Sequence, residues 1–326
     1  MAGNIKGKWL FRGGVFTAGL IILIVASTGA IRNCTSTDKG EIMEEKTMNQ
    51  MGFGRFNIVI PEQFQLAGRN QSIYEVDVRT IPIGDRSPDK MWKDRLDTIS
   101  AEIAASGKTS GKMIWKGEIS PGFPAVSYQK KLSVPAATVE AQKRVADYVL
   151  LLKYSGELGM EKEMLELLDG TAVGYKPGIP YGFNVGEGSI TTELGLYEHA
   201  FVSLTDSLLD AEITVNTQTV GNYLNDHPLE DISHDIALFA SEGATLKVLI
   251  NKRRNVAGFD GYEGLVGLDS PDEESIFTYT WFFPGETANS FKPEILIKMT
   301  GPRRYLDQVK ETWENLLKSF SIRKEK

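Results

Sequence analysis

The sequence predicts an α+β protein of two domains, each a mainly antiparallel sheet with packing helices, after an N-terminal apolar segment. Three observations support this prediction. Apolar and polar residues alternate over many short runs, which is the period of a β-strand with one buried face. Glycine and proline separate these runs, as expected for turns. Two longer segments, at 88–105 and 305–320, have apolar residues at the spacing of an amphipathic helix.

The length of the chain favours a division into two domains. The chain has 326 residues, of which 41% are hydrophobic and 24% charged, and single cores stop growing at about 250–300 residues. The boundary is placed near 221–228, because a new helical pattern begins at Leu229 and continues to residue 239. The predicted divisions are a signal peptide or membrane anchor at 1–34, a linker at 35–50, an N-terminal domain at 51–221 and a C-terminal domain at 222–326.

The N-terminus has the pattern of an export segment. Lys6, Lys8 and Arg12 precede an uncharged run at 13–31, and an acidic body follows. This order predicts a cytoplasmic N-terminus and a body on the far side of the membrane. The run is barely long enough for a membrane helix, which needs about 20 residues. A cleaved signal and a retained inner-membrane anchor therefore both stay open, and in either case we expect the body in the periplasm.

Cys34 adds a third alternative, which is lipidation. It is the only cysteine of the chain, so no internal disulfide can form. Lipoprotein signals place small residues directly before the cysteine, whereas Arg32 and Asn33 stand there in this chain. The sequence therefore favours an export segment, cleaved or retained, over a lipid anchor.

Strands and helices can be predicted in order along the first domain. Pro88 begins a helix that extends to residue 105 and is closed by Gly107, and a second helix covers 160–168. The run at 146–154 is the most apolar and is expected near the centre of its sheet. The predicted strands are 53–60, 72–81, 112–119, 125–132, 146–154, 182–192, 199–204 and 212–219.

The second domain begins with the predicted helix at 229–239 and continues mainly as strands. A strand at 245–250 precedes two short Gly-rich strands, which we expect to be joined through Asp260-Gly261. An aromatic strand at 276–281 ends before Pro284-Gly285, and the next strand covers 293–299. The amphipathic helix at 305–320 closes the domain and offers one face to a sheet.

Charge and motif content argue against nucleic-acid binding and against catalysis. The net charge is −7 although the first 34 residues hold no acid, whereas nucleic-acid recognition needs a basic face. No G-x-S-x-G nucleophile elbow occurs, and His199, His227 and His234 lack zinc-ligand spacing. Ser233 and Asp235 flank His234, but adjacent residues on a helix point in different directions. We therefore expect no catalytic residue, metal ion or cofactor.

Acidic loops and the end of the aromatic strand are the candidates for binding a partner protein. Clustered carboxylates on a loop suit a basic partner surface, and an aromatic side chain at a strand end can anchor an interface. The candidate residues are Asp260, Glu263, Asp269, Asp272, Glu273, Glu274, Phe282 and Phe283.

Short motifs follow one another in a distinctive order along the chain. In the C-terminal half they are VAG at 256–258, EGLV at 263–266, YTW at 279–281, PG at 284–285, PEI at 293–295 and MTG at 299–301. In the N-terminal half they are GRFNIVIP at 54–61 and FNVGEGSI at 183–190. This order resembles the immunity proteins that protect bacteria against phospholipase effectors of the type VI secretion system (T6SS), which have N-terminal and C-terminal immunity domains.

The resemblance implies a non-enzymatic periplasmic protein that binds a cognate lipase effector. Such a protein would obstruct the substrate entrance of the effector or the movement of its lid, and we expect it to be a monomer when unbound. The alternative from another class is a cell-envelope hydrolase whose active site is assembled from scattered residues. Turnover of an ester or glycosidic substrate would favour the hydrolase, and lipase binding without turnover would favour the immunity protein.

Overall fold

The computed structural model describes residues 48–105, 107–191, 197–220, 245–269 and 274–323. All of them belong to one unit, Lys46–Lys326. Within the described residues, no helix is both long and apolar enough to cross a membrane. Several predicted features lie outside the described residues: the apolar run at 13–31, Cys34, most of the linker, the helix at 229–239, and the candidate site residues Asp272 and Glu273.

Strands dominate the described part of the chain. In chain order they are β1 (Met48–Phe53), β2 (Phe56–Pro61), β3 (Gln65–Ile73), β4 (Val76–Pro82), β5 (Ser110–Ser120), β6 (Phe123–Lys131), β7 (Ala136–Val145), β8 (Tyr148–Glu157), β9 (Tyr175–Pro177), β10 (Phe183–Val185), β11 (Gly188–Ile190), β12 (Glu198–Asp206), β13 (Ala211–Gln218), β14 (Thr245–Val256), β15 (Phe259–Asp269), β16 (Ile276–Phe283), β17 (Glu294–Pro302) and β18 (Ser321–Ile322).

Three α-helices lie among the described residues: α1 (Pro88–Ala104), α2 (Glu161–Gly174) and α3 (Leu306–Ser319). The start of α1 follows from its sequence, because Pro88 stands in the first turn and the Ser87 side chain accepts a hydrogen bond from the Lys90 amide at 3.2 Å. Short 3₁₀ turns precede β5 and α3. Helices beside antiparallel sheets confirm the predicted α+β class.

One twelve-stranded sheet organises the fold. Its strand order is β14-β15-β16-β17-β13-β12-β3-β4-β8-β7-β6-β5, and every neighbouring pair in it is antiparallel. Two three-stranded sheets, β1-β2-β18 and β10-β11-β9, accompany it. In the described residues, β14 and β5 are the two edges of the large sheet.

The two faces of the large sheet have different surroundings, because side chains alternate between the faces along each strand. One face carries the main core and packs against α2 and α3; α2 contacts β7 and β8, whereas α3 contacts β17 and also β2 of the smaller sheet. Phe56, Trp281 and Trp313 are fully buried there. The opposite face, called the outer face below, meets α1 over β5 and β6 through Trp92, Ile99, Val126 and Tyr128.

Most predicted elements are confirmed, and the errors come from short turns. The single strand predicted at 72–81 is wrong, because Tyr74 and Glu75 adopt positive φ angles of 51° and 65° and separate β3 from β4. The predicted turn at Asp260-Gly261 is also wrong. The chain reverses at Ala257-Gly258, with φ of 54° and 91°, so that Asp260 lies inside β15. At both turns the buried apolar residues are three positions apart instead of two, Ile73 and Val76 at the first and Val256 and Phe259 at the second, so the alternation breaks where the chain reverses.

Two hairpins also differ from the prediction. Residues 182–192 contain the short strands β10 and β11 instead of one strand, and β7 lies in a stretch where no element was predicted. In β7, the polar residues Thr138, Glu140 and Gln142 alternate with Ala137, Val139 and Ala141, and all six are buried. The alternation of a strand is therefore present, but two of its three apolar residues are alanine, which is depleted in strands, so the apolar signal is weak.

The large sheet continues across the predicted domain boundary at 221–228. Strand β13 precedes that boundary and pairs with β17, which follows it, from Glu212 opposite Thr300 to Gln218 opposite Glu294. The two predicted domains therefore share backbone hydrogen bonds, and their division stays a prediction. Strand β1 starts at Met48, inside the last residues of the predicted linker.

Candidate partner-binding surface

A row of aromatic and polar side chains crosses the outer face of the large sheet. Because directly opposed residues of antiparallel strands point to the same face, the row can be read from the register. From β3 to β14 it consists of Asn70, Phe201, Asn216, Leu296, Phe282, Tyr262 and Arg253. We call these seven residues the aromatic row.

The aromatic row is accessible from outside the protein. Tyr262 is 38% exposed, Arg253 is exposed, and Phe201, Leu296 and Phe282 are half-buried. The Arg253 guanidinium lies 5.5 Å from the centre of the Tyr262 ring and donates a 3.3 Å hydrogen bond to its hydroxyl. Half-exposed aromatic side chains held by strands are preorganised, so they can bury against a partner with little loss of side-chain freedom.

An aliphatic group adjoins the aromatic row where β14 and β15 form the sheet edge. Leu246 stands opposite Leu268, and Val248 stands opposite Val266, on the outer face. Val248 is 59% exposed and the next residue, Leu249, is 46% exposed. The outer face therefore combines rings, aliphatic side chains and polar groups near one edge of the sheet, which is the composition of a protein-binding surface.

The two predicted aromatic site residues lie on opposite faces. Phe282 belongs to the aromatic row, between Tyr262 and Leu296. Phe283 points to the core face, where its ring centre lies 5.0 Å from that of Phe259. Successive side chains of a strand point to opposite faces of the sheet. Only one residue of such an adjacent pair can therefore lie on the outer face.

Three of the predicted acidic residues, the exposed Asp260 and Glu274 and the half-buried Asp269, are already bound to groups of this chain. Asp260 accepts a 2.6 Å hydrogen bond from the Asn255 side chain, and Glu274 is paired with Arg304. Asp269 is paired with Arg303 and, at 2.9 Å, with Lys247, and these bonds hold the pKa of Asp269 well below its ordinary value. Their charge is therefore partly neutralised. Asp272 and Glu273 lie outside the described residues.

Glu263, another predicted site residue, is buried and bound by other side chains of the protein. Its side chain is 1% exposed, and its Oε1 accepts hydrogen bonds from Arg254 at 2.9 Å and from the Trp313 indole at 2.8 Å. Lys252 lies 3.1 Å from its other oxygen. A carboxylate with this burial offers no surface to a partner, so Glu263 fits a role in holding α3 against β14 and β15.

Several residues of this surface were missing from the sequence-based candidates. Tyr262, Phe201 and Leu296 each lie in or beside a predicted strand, one position away from buried residues, and Arg253 lies just beyond the predicted strand at 245–250. That alternation could have identified them individually as outward-facing. It could not have grouped them, because the group depends on which strands are neighbours in the sheet.

A charged cleft of about 400 Å³ lies between α1 and the outer face. Arg95 donates two 2.6 Å hydrogen bonds to Glu140, and the Tyr128 hydroxyl donates a third of 2.6 Å to the same carboxylate. The bond with Glu140 raises the pKa of Arg95, and burial raises the pKa of Tyr128. Because these charges have partners inside the protein, the cluster accounts for the docking of α1 on the sheet.

The hydrolase alternative requires a nucleophile activated by a base. Ser72 of β3 stands opposite both Asp77 of β4 and His199 of β12, which brings three suitable residue types together. A catalytic triad needs the histidine between the other two, whereas here the serine lies between them, and burial lowers the pKa of His199. His227 and His234 lie outside the described residues. Among the described residues, no cluster of His, Cys, Asp and Glu could hold a metal ion.

Solved structures with this fold are known. The apo structure of the T6SS immunity protein TplEi from Pseudomonas aeruginosa matches with a TM-score of 0.66 and 16% identity, over 85% of this chain and 97% of that chain. A chain of the Tle4–Tli4 complex matches with a TM-score of 0.68 and 14% identity, over 86% of this chain and 99% of that chain. TplEi complexed with the "L" peptide matches with a TM-score of 0.64 and 15% identity, over 85% and 98%.

These matches define the class of fold. No protein-family model matches the sequence, and a comparison with curated proteins finds no match. At 14–16% identity the likeness to the solved structures is one of fold. The structural neighbours of this chain are T6SS immunity proteins, so the fold that the motif order implied is confirmed.

Proposed function

We propose that this chain is a periplasmic immunity protein that binds and inhibits a cognate phospholipase effector of the type VI secretion system. The observation that supports the proposal is the match of its fold to nearly the whole length of T6SS immunity protein structures, one of them in a complex named Tle4–Tli4. The proposed protein acts by binding and carries out no catalysis, which agrees with an exposed aromatic row and with ion pairs that are satisfied internally.

The outer face near the β14 edge is the proposed effector-binding surface. Stable complexes bury about 800 Å² on each partner and depend on a few aromatic or arginine anchors at the centre of the interface. Tyr262, Phe282 and Arg253 have these residue types and are held side by side by backbone pairing. The exposed Asp260 and Glu274 and the half-buried Asp269 are then proposed as rim groups that influence the encounter.

We expect the full-length chain to protect cells against the lipase encoded beside it when that lipase is directed to the periplasm. A chain without residues 1–34 should not protect, because it would lack the proposed export segment. Colony counts measure protection, and light scattering of the purified proteins should show a complex of one chain with one lipase. Protection by the truncated chain would contradict periplasmic action. Fatty-acid release from vesicles by the chain alone would favour the hydrolase alternative.

The mode of inhibition can be tested with two substrates of the lipase. If the chain obstructs the substrate entrance, it should suppress hydrolysis of both a short soluble ester and vesicle phospholipid. If it restrains the lid, the short ester should still be hydrolysed while activity on vesicles is lost, since lid opening gives access to large lipid substrates. Inhibition of neither substrate at stoichiometric complex formation would contradict the proposal of inhibition.

Charge reversal of the acidic loop should affect the association rate. In the triple variant Asp272→Lys, Glu273→Lys and Glu274→Lys, we expect association with the lipase to slow about tenfold at low salt, because opposite charges steer the encounter. The difference should shrink at high salt, where a Debye length of about 3 Å screens the charges. Single reversals should change the affinity little, since exposed ion pairs contribute about 0–1 kcal/mol.

Stopped-flow kinetics at two salt concentrations measure this effect. The matched control is Glu161→Lys, Glu163→Lys and Glu166→Lys, which reverses three acids of α2, a helix on the core face of the sheet and away from the β14 edge. An unchanged association rate at low salt in the loop variant would remove the acidic loop from the interface. Equal slowing in the α2 variant would assign the effect to net charge and not to the loop.

A further inference from the structure

The edge strand β14 has a free backbone edge to which a further strand could pair. Among the described residues β14 pairs with β15 alone, so its other side offers unpaired backbone amides and carbonyls. The register shifts between Val248 and Ile250, which leaves Leu249 as a bulged residue. Exposed strand edges can accept an additional strand, and bulges limit where this can happen.

The side chains of β14 differ between its two faces. On the outer face Leu246 and Val248 continue the aliphatic group of β15. On the core face side stand Lys247, Lys252 and Arg254, and β14 contains no acidic residue. The side chains of Lys247 and Lys252 remain 52% and 55% exposed despite their contacts with Asp269 and Glu263. Each of the two ammonium groups can therefore be approached by a further carboxylate from the free side of the strand.

We propose that β14 binds an extended segment of a partner protein in which apolar residues alternate with acidic ones. Added as a thirteenth strand, the segment would place its apolar side chains beside Leu246 and Val248 and its carboxylates beside Lys247 and Lys252. Backbone hydrogen bonds would supply affinity, and the alternating side chains would supply selectivity. Opposite charges on directly opposed residues favour such a pair, and like charges disfavour it.

The same chemistry disfavours a second copy of this chain at the edge. If two β14 strands paired, lysine and arginine side chains of both copies would face one another, because β14 has basic residues on both faces, including Arg253 on the outer face. Like charges opposed across strands are destabilising. Charge repulsion therefore disfavours pairing of two β14 strands, whereas pairing of β14 with an acidic strand is favoured.

Peptide binding to the full-length protein tests this proposal without the lipase. The probe is a capped, fluorescently labelled peptide of about 8 residues, the length of an ordinary strand, in which valine alternates with glutamate. Its control has lysine in place of each glutamate. Fluorescence anisotropy should show binding of the glutamate peptide that weakens with salt, and binding of the lysine peptide should be at least about tenfold weaker.

Two double variants locate the binding site. Val248→Asp with Leu249→Asp removes both exposed aliphatic side chains and adds repulsion, so the affinity for the glutamate peptide should fall at least about tenfold. Met113→Asp with Ile114→Asp is the matched control at the opposite edge, where Ile114 is also at a register shift and the two residues are 38% and 36% exposed. This control should leave the affinity unchanged, and circular dichroism should show both variants folded.

The proposal is overturned if the two peptides bind equally, if neither binds, or if the β5 variant weakens binding as much as the β14 variant. A dimer in light scattering that only the β14 variant dissociates would assign the edge to a second copy and would also overturn it. Failure of lipase inhibition, by contrast, would contradict the proposed function and leave the peptide result standing.

Discussion

Replacing Glu263 by alanine should lower the free energy of unfolding by about 3–5 kcal/mol, the range for removal of one partner from a buried ion pair. The carboxylate is 1% exposed and accepts hydrogen bonds from Arg254 and Trp313. Its removal would leave a half-buried guanidinium with one carboxylate, Glu314, and a buried indole N–H with no acceptor. Glu263→Gln should have a smaller effect, since an amide oxygen can still accept from Trp313.

Urea unfolding followed by circular dichroism measures the change. The control is Asp260→Ala in the same strand, which removes an exposed carboxylate bound to Asn255 and should change stability by at most about 0.5 kcal/mol. If Glu263→Ala and Asp260→Ala had equal effects, Glu263 would not stabilise the contact of α3 with the sheet. Folded Glu263→Ala protein should still bind the lipase, because this side chain is inside the molecule.

Truncating the two aromatic residues of the row that lie nearest the β14 edge should weaken lipase binding strongly. In the double variant Tyr262→Ala and Phe282→Ala we expect the dissociation constant to rise at least about 100-fold, mainly through faster dissociation. Both side chains lie on the outer face at directly opposed positions, Tyr262 being 38% exposed. Their loss would remove a preorganised apolar surface that a partner would otherwise bury. Surface plasmon resonance with immobilised lipase measures both rate constants.

Trp115→Ala is the matched control for this variant. Trp115 is 37% exposed and lies on β5, at the other edge of the same sheet. Its truncation should change the dissociation rate by less than about threefold, the effect of a peripheral contact. Normal binding by the Tyr262 and Phe282 variant would place the interface elsewhere. An equal loss in Trp115→Ala would show that the interface is not confined to the β14 end of the sheet.

Local patterns in the sequence were sufficient for the elements whose signals are local. Helix α1 follows from Pro88 and from apolar residues at helical spacing, and α3 follows from Leu306, Val309, Trp313 and Leu316. The strands β16 and β17 follow from alternation that ends at Pro284-Gly285 and Gly301-Pro302. These signals involve residues a few positions apart, so they can be recognised without knowledge of the tertiary contacts.

The residue types of the candidate site were also partly visible in the sequence. Phe282 was identified as a possible contact residue, and it lies on the outer face beside Tyr262. The acidic residues were identified by composition alone, and composition does not show which of them are exposed. Glu263 is buried beneath Arg254 and Trp313, whereas Asp260 is exposed.

By itself, the sequence determined the α+β class, most helices and strands, and the motif order that pointed to immunity proteins. Only the tertiary structure decided the strand order, and with it the aromatic row, whose members Asn70, Phe201, Asn216, Leu296 and Arg253 are distant in sequence. The physical reason is that strand pairing is non-local and a shift of one residue exchanges the two faces. Neighbours across a sheet are therefore set by long-range packing of the whole core, which no short stretch of sequence encodes.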